Sequence, residues 1–157
     1  MDEKKYIEMK QSFTEYLTEK KLRKTEERYA IFECICRFAG HFDMYSLQEK
    51  LEEANFHVSR ATLYNTLDVL EDGGLIVRHQ LNAQSVQYEL RALAETHLHL
   101  VCMKCGAIRE MKDSVLKKDV NNLKISRFTP EFHALYIYGI CSKCKFKLQQ
   151  KSSKKEY

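Results

Sequence analysis

The sequence predicts a mixed α/β (α+β) protein in two parts, an N-terminal winged helix-turn-helix domain and a C-terminal α/β domain with a four-cysteine zinc site. Three observations carry this. Residues 5–72 show helical apolar spacing interrupted by capping residues. Residues 75–90 read as two short strands joined by a polar turn. Two Cys-x-x-Cys pairs, at Cys102/Cys105 and Cys141/Cys144, follow strand-like runs.

Taken in order, Tyr6, Met9, Phe13, Tyr16 and Leu17 mark a first helix over 5–20. Thr25 caps a second, where Glu26 and Glu27 suit the positive end of the helix dipole. Its buried stripe is Ile31, Phe32, Ile35 and Phe38, and Cys34 and Cys36 ride on it as small buried thiols. Ser46 and Glu49 form a capping-box pattern that starts a third helix. Ser59 caps a fourth from Arg60 to Asp72, stopped by Gly73-Gly74. Leu75–Leu81 and Val86–Leu90 then make a hairpin across Asn82-Ala83-Gln84-Ser85. Short helices followed by a hairpin are the order of a winged helix, which sets a domain over 1–90 and a hinge over 91–96. Beyond it, His97–Cys102 and Ala107–Met111 read as strands, Asp113 caps a helix over 114–124, and Phe132–Ile140 is a further strand. The second domain ends at 144, and 145–157 reads as a Lys-rich flexible tail.

Composition narrows the function classes. With 44% hydrophobic and 31% charged residues over 157 positions, the chain is globular. It has no apolar run of the ~20 residues that span a bilayer and no signal-peptide core, so a soluble cytoplasmic protein is expected. The net charge of +4 lies in the tail; residues 1–144 sum to zero and residues 1–90 to −4. Binding to nucleic acid therefore requires a local basic face, not overall charge. Such a face exists. Arg23 and Lys24 belong to a basic cluster with Lys20, Lys21 and Arg28, and Arg60, Tyr64 and Asn65 lie on the outer side of the fourth helix. Arg contacts phosphate or guanine, Asn pairs with adenine, and an aromatic edge touches a thymine methyl. The same residues also suit a plain solvated helix face.

Cys102, Cys105, Cys141 and Cys144 are the strongest chemical signal. A two-residue gap lets both thiolates of a pair reach one ion, and Gly106 supplies the permissive backbone of the first knuckle. Two knuckles make a closed tetrahedral structural Zn(2+) site with no open position for catalysis. A redox dithiol is the other reading of such pairs, but it favours a cysteine at a helix N-terminus, and both pairs here follow strands. His97 and His99 are two apart in a strand, so their imidazoles share a face within reach of Glu89 and Glu110. That mixed set suits Fe(II), Zn(II), Mn(II) or Co(II), and ordinary packing explains a histidine pair equally well.

Together these pieces resemble the ferric uptake regulator family of metal-dependent repressors. The matching residues are Leu22-Arg23-Lys24-Thr25-x-x-Arg28, His41, and Ser59-Arg60-Ala61-Thr62-Leu63-Tyr64-x-Thr66-Leu67. They continue with Tyr88-Glu89-Leu90, His97-x-His99-Leu100-x-Cys102-x-x-Cys105-Gly106, Glu110, and His133-x-x-Tyr136-x-Tyr138-Gly139-x-Cys141-x-x-Cys144. The resemblance implies a dimerisation role for the second domain and a regulatory metal held by His41, Glu89, His97, His99 and Glu110. It implies a homodimer that binds a near-palindromic double-stranded DNA operator when Fe(2+) occupies that site, with Zn(2+) or Mn(2+) as substitutes. No enzyme activity, small-molecule substrate or membrane partner is expected.

Departures from the family pattern carry their own expectations. Asn65 stands where members commonly carry Arg, so operator preference should differ. Thr96 and Leu98 replace the His and Asp that help build a second metal site in many members, leaving only His133 of its usual ligands. That second site is expected to be absent. Glu89 and Glu110, where peroxide sensors tend to have Asp, and the lack of a Cys near Glu89, favour an iron sensor over peroxide- or zinc-responsive relatives. A zinc-uptake regulator, or a haem-responsive member with axial ligands from Cys34, Cys36 or the histidines, is the alternative within the family. His57 and His79 are expected at the surface.

Overall fold

The structure, a computed structural model, describes residues 2–82, 85–130 and 132–153. Its contacts divide the chain into two compact units: Met1–Gln80 with Val86–Leu93, and Leu81–Ser85 with Ala94–Tyr157.

The first unit begins with four helices, α1 (Glu3–Glu19), α2 (Glu26–Cys36), α3 (Met44–Glu53) and α4 (Arg60–Asp72). Side chains start three of them. Thr25 accepts from the Arg28 amide, Asp43 from the Ser46 amide and Ser59 from the Thr62 amide. The third helix thus starts earlier than the Ser46–Glu49 pattern suggests. Ser46 is the far side of a capping box whose cap is Asp43, because an Asp three residues upstream competes for the same amides.

The chain leaves α1, α3 and α4 in one way. Lys21, Asn55 and Gly74 take left-handed φ of 55°, 55° and 66°. The next residues, Leu22, Phe56 and Leu75, send their amides back to the carbonyls of Leu17, Leu51 and Leu70 at 2.8–2.9 Å. Each is a Schellman ending, with an apolar residue after the turn facing an apolar residue in the helix. These endings feed one core, in which Phe13, Leu17, Ile31, Phe32, Ile35, Leu47, Leu63, Leu67 and Leu70 are fully buried. Burial of each such side chain is worth roughly 1.5–3 kcal/mol. Cys34 and Cys36 are buried in that core, as small thiols on an apolar face should be.

Strands β1 (Ile76–Asn82) and β2 (Ser85–Leu90) form a two-stranded sheet, and α5 (Arg91–Ala94) follows. The tip residues Ala83 and Gln84 lie outside the described residues. Three helices and a hairpin over one core are the parts of a winged helix. An isolated antiparallel bridge between Phe42 and Tyr88, with amide–carbonyl bonds of 2.9 and 2.7 Å, ties the segment before α3 to β2.

The second unit is a three-stranded sheet in the order β4-β3-β5, with β3 (Leu98–Cys102) at its centre. β4 (Ile108–Met111) pairs with it antiparallel and β5 (Tyr136–Gly139) parallel. Asp113 caps α6 (Ser114–Asn121), accepting from the Val115 and Leu116 amides at 3.0 Å. The last strand is shorter than the expected 132–140, since only its second half pairs with β3. Residues 145–153, read from sequence as a flexible tail, continue α7 (Ser142–Ser153); their Lys, Leu and Gln are good helix formers. No helix among the described residues is long and apolar enough to cross a membrane.

Candidate metal centres and nucleic-acid face

The two knuckles of the second unit bring four sulfurs together. Cys102 ends β3, and Gly106, at φ 72°, turns the chain so that its amide returns to the Cys102 carbonyl at 2.8 Å. Cys141 and Cys144 come from the end of β5 and the start of α7. The Sγ atoms of Cys102, Cys105, Cys141 and Cys144 all lie within 4.8 Å of one another, and Cys105 and Cys141 are 3.9 Å apart. Tetrahedral zinc with Zn–S bonds of about 2.3 Å needs sulfurs about 3.8 Å apart, so the donors fit that ion in type, number and spacing. The Cys141 amide donates to Cys102 Sγ at 3.3 Å. That amide, with those of Cys105 and Lys104, holds the Cys102 thiol down to about 6. Hydrogen bonds with the Cys105 and Cys141 side chains push Cys144 up to about 12. All six cysteines of the chain are free thiols.

Three further expected donors also lie in the second unit. His99 is fully buried on the central strand, and its backbone partner on β4 is Glu110. Paired residues share a face, so carboxylate and imidazole face the same side. The His97 and His99 Nε2 atoms are 3.2 Å apart, and His97 Nδ1 lies 3.9 Å from Oε2 of Glu110. On β5, Tyr136 stacks on His99 with ring centroids 5.1 Å apart, which makes this tyrosine a packing partner of the donor.

The first unit carries the other two, His41 and Glu89. His41 precedes Phe42 and Glu89 follows Tyr88, so the Phe42–Tyr88 bridge sets them side by side. His41 Nε2 lies 3.4 Å from Oε2 of Glu89, whose side chain is fully buried. A third residue joins them that the sequence reading placed at the surface. His79 is 1% exposed, and its Nε2 lies 3.3 Å from the same Glu89 oxygen. No period marks it: Ile76, on the same parity as the exposed Arg78, is itself buried, so alternation along β1 does not single out the face of His79. His57 is exposed, as expected.

The expected DNA-reading residues also lie in the first unit. Arg23, Lys24, Arg60 and Asn65 are exposed, and Tyr64 is 53% exposed despite its size. Asn65 is not isolated. Arg28 donates one guanidinium nitrogen to Oδ1 of Asn65 at 2.9 Å and another to the Arg23 carbonyl at 2.8 Å. α2, α4 and the basic segment between α1 and α2 are thereby linked at the surface.

A helical unit ending in a hairpin and a sheet unit carrying a four-thiol cluster and imidazole–carboxylate donors fit one class, that of metal-responsive transcriptional regulators. The sequence profile of the ferric uptake regulator family matches residues 19–138, and the chain belongs to that family. It is 34% identical over 105 residues to the ferric uptake regulation protein of Legionella pneumophila, covering 66% of this chain and 76% of that one. The protein of the same name from Campylobacter upsaliensis is 27% identical over 154 residues, covering 96% of this chain and 98% of its own. Among solved structures, the ferric uptake regulator of Pseudomonas aeruginosa with manganese superposes with a TM-score of 0.61 at 25% identity, covering 80% of this chain and 96% of that one. Members of the family are transcriptional regulators that respond to metal, not enzymes.

Proposed function

We propose that this protein is a cytoplasmic, homodimeric repressor that binds a near-palindromic operator when Fe(2+) occupies a regulatory site formed by His41, Glu89, His97, His99 and Glu110. Zn(2+) is held separately by Cys102, Cys105, Cys141 and Cys144 as a structural ion. The functional parts are a DNA-binding domain over 1–90, a hinge over 91–96, a dimerisation and metal-binding domain over 97–144, and the Lys-rich segment 145–157.

One observation carries this reading: the donors are divided. His41 and Glu89 belong to the first unit, and His97, His99 and Glu110 to the second. An ion that takes ligands from both fixes one orientation of the units, and with it the separation of the two recognition helices in a dimer. The metal supplies only that cross-link. The chain's residues do the rest: α4 presents Arg60, Tyr64 and Asn65 to the groove, and Arg23 and Lys24 hold phosphate. A tenfold rise in operator affinity needs the ion to favour the binding-competent state by about 1.4 kcal/mol, well within the range of allosteric coupling. The matched relatives carry iron in their names, and a relative's structure was solved with manganese, which supports Fe(2+) first and Mn(2+) or Zn(2+) as substitutes. Homodimerisation is supported by Ile137 on the edge strand β5 and by Ile140, 48% and 47% exposed on the single chain.

Metal per chain, counted before and after prolonged EDTA and followed by operator binding in anisotropy titrations, tests this. One resistant zinc, one removable ion and at least tenfold tighter DNA binding with Fe(2+) are expected. The alanine variants of His97 and Glu89 should keep the zinc and lose the metal dependence. Operator affinity indifferent to Fe(2+), Mn(2+) and Zn(2+) would falsify the reading.

A further inference from the structure

His79 has no place in the donor set above, yet it is as deeply buried as Glu89 and touches it. We propose that His79 is a positioning residue for the regulatory metal: its Nε2–H holds Oε2 of Glu89 and presents that carboxylate to the ion in one orientation. This rests on the reading of Glu89 as a ligand.

Chemistry and backbone both point this way. Both side chains are at 0% exposure, and Nε2 of His79 lies 3.3 Å from Oε2. A buried carboxylate is unfavourable unless it is paired, and at 3.3 Å a small turn of the His79 ring brings Nε2–H onto Oε2 of Glu89. On this proposal His79 gives its Nε2–H to the carboxylate and acts through Glu89, whereas His41, 3.4 Å from the same oxygen, keeps its Nε2 lone pair for the ion. The placement is rigid. His79 stands on β1 and Glu89 on β2 of one hairpin, and the Phe42–Tyr88 bridge anchors His41 beside them. The His41 and His79 rings are 5.1 Å apart and tilted by 58°, and both approach the same oxygen of the carboxylate. A carboxylate gripped at one oxygen turns the other outward, which favours one-oxygen coordination and sets the angle at which a ligand from the first unit meets the ion. Groups that orient a metal ligand in this way typically change metal affinity 10–100-fold when removed.

The test is a Co(II) titration of the full chain with its zinc retained, followed by d–d absorption, for wild type, Glu89→Ala, His79→Leu and His79→Gln. His79→Leu should weaken Co(II) binding about 10–100-fold and shift the band, with zinc content unchanged. His79→Gln, which keeps an N–H donor, should restore most of the affinity and the band. His79→Leu matching wild type overturns the inference. So does a Gln variant no better than Leu, because that marks His79 as a direct ligand. Loss of binding in Glu89→Ala but not in His79→Leu sinks this inference alone, whereas unchanged binding in Glu89→Ala sinks the reading of the site itself. Should the Leu variant fold poorly, hyperfine-shifted proton spectra of the wild-type Co(II) protein decide. Imidazole N–H signals from His41, His79, His97 and His99 all at coordinated shifts would overturn it; signals from only His41, His97 and His99 would support it.

Discussion

The two units are held together by different physics. In the first, residues from all four long helices and both strands enter one apolar core, and every one of those helices is capped, closed by a Schellman turn, or both. In the second, the hydrophobic residues buried among those described are Ala94, Leu98, Val101 and Cys102, and α6 buries none. Its sheet has three short strands, with Ile137, Tyr138 and Ile140 exposed beside the four-thiol cluster. A small sheet with so thin a core is marginal alone, and a structural metal is a common remedy. The first unit should therefore owe its stability to burial, and the second to zinc and a partner surface.

The largest effect expected from that contrast is on removing a thiolate. Cys141→Ser should lose the resistant zinc and unfold the second unit, since apparent zinc binding of about 10–16 kcal/mol is coupled to folding in such sites. The helical signal of the first unit should survive with its own melting transition. The mirror experiment is Leu67→Ala, which empties part of a fully buried site and should cost the first unit about 2–5 kcal/mol while leaving zinc content intact. Circular dichroism melts with zinc analysis check both. If Cys141→Ser melts in a single transition with wild-type zinc, the contrast fails.

The same difference governs what the sequence revealed. Cysteine knuckles are local, so spacing alone placed all four sulfurs, and the caps at Thr25 and Ser59 were legible because each bonds within three residues. Asp43 was missed as a cap since Ser46 offers the same chemistry three residues later. His79 was missed because its partner is across a hairpin, and a histidine on a strand looks the same whether it faces water or a carboxylate. The shortened β5 and the helical 145–153 depend on pairing and continuation that no local signal encodes. His41 was reached through family resemblance; its contact with Glu89 depends on the Phe42–Tyr88 bridge, between residues 46 positions apart in the chain.

Cysteines sharpen the contrast, because one residue type serves two ends. In the first unit, burial and then the nearby Glu33 push the Cys36 thiol up to about 12, and burial also raises Cys34. Thiolate is the reactive form, so native protein at pH 8 should leave both unalkylated by iodoacetamide, at least a hundredfold slower than in denaturant. The folded value lies above the unfolded value of about 9, so the stabilisation from the neutral thiol is fully present below pH 9. It is lost as pH rises from about 9 towards about 12. Mass spectrometry of labelled peptides reads the first effect, and melting of the first unit against pH the second. Fast labelling of Cys36 in folded protein would mean that the core opens there.

The smallest expected effect tests whether the two units melt independently. Asn55 ends α3 at φ 55°, the same left-handed turn that Gly74 makes after α4 at 66°. Gly adopts that region without the Cβ crowding that Asn tolerates only in part, so Asn55→Gly should stabilise the first unit by about 0.3–1 kcal/mol. The opposite kind of change, Gly74→Ala, should destabilise it, because alanine is forced into left-handed backbone and the Arg91 guanidinium, 2.7 Å from the new Cβ, must swing aside. Both changes belong to the apolar unit, far in mechanism from the thiolate cluster. The first transition should rise by a few degrees in Asn55→Gly and fall in Gly74→Ala, while the zinc-dependent transition stays where it was. Equal shifts in both transitions would mean that the units melt as one body, and that the thin core of the second unit borrows stability from the first.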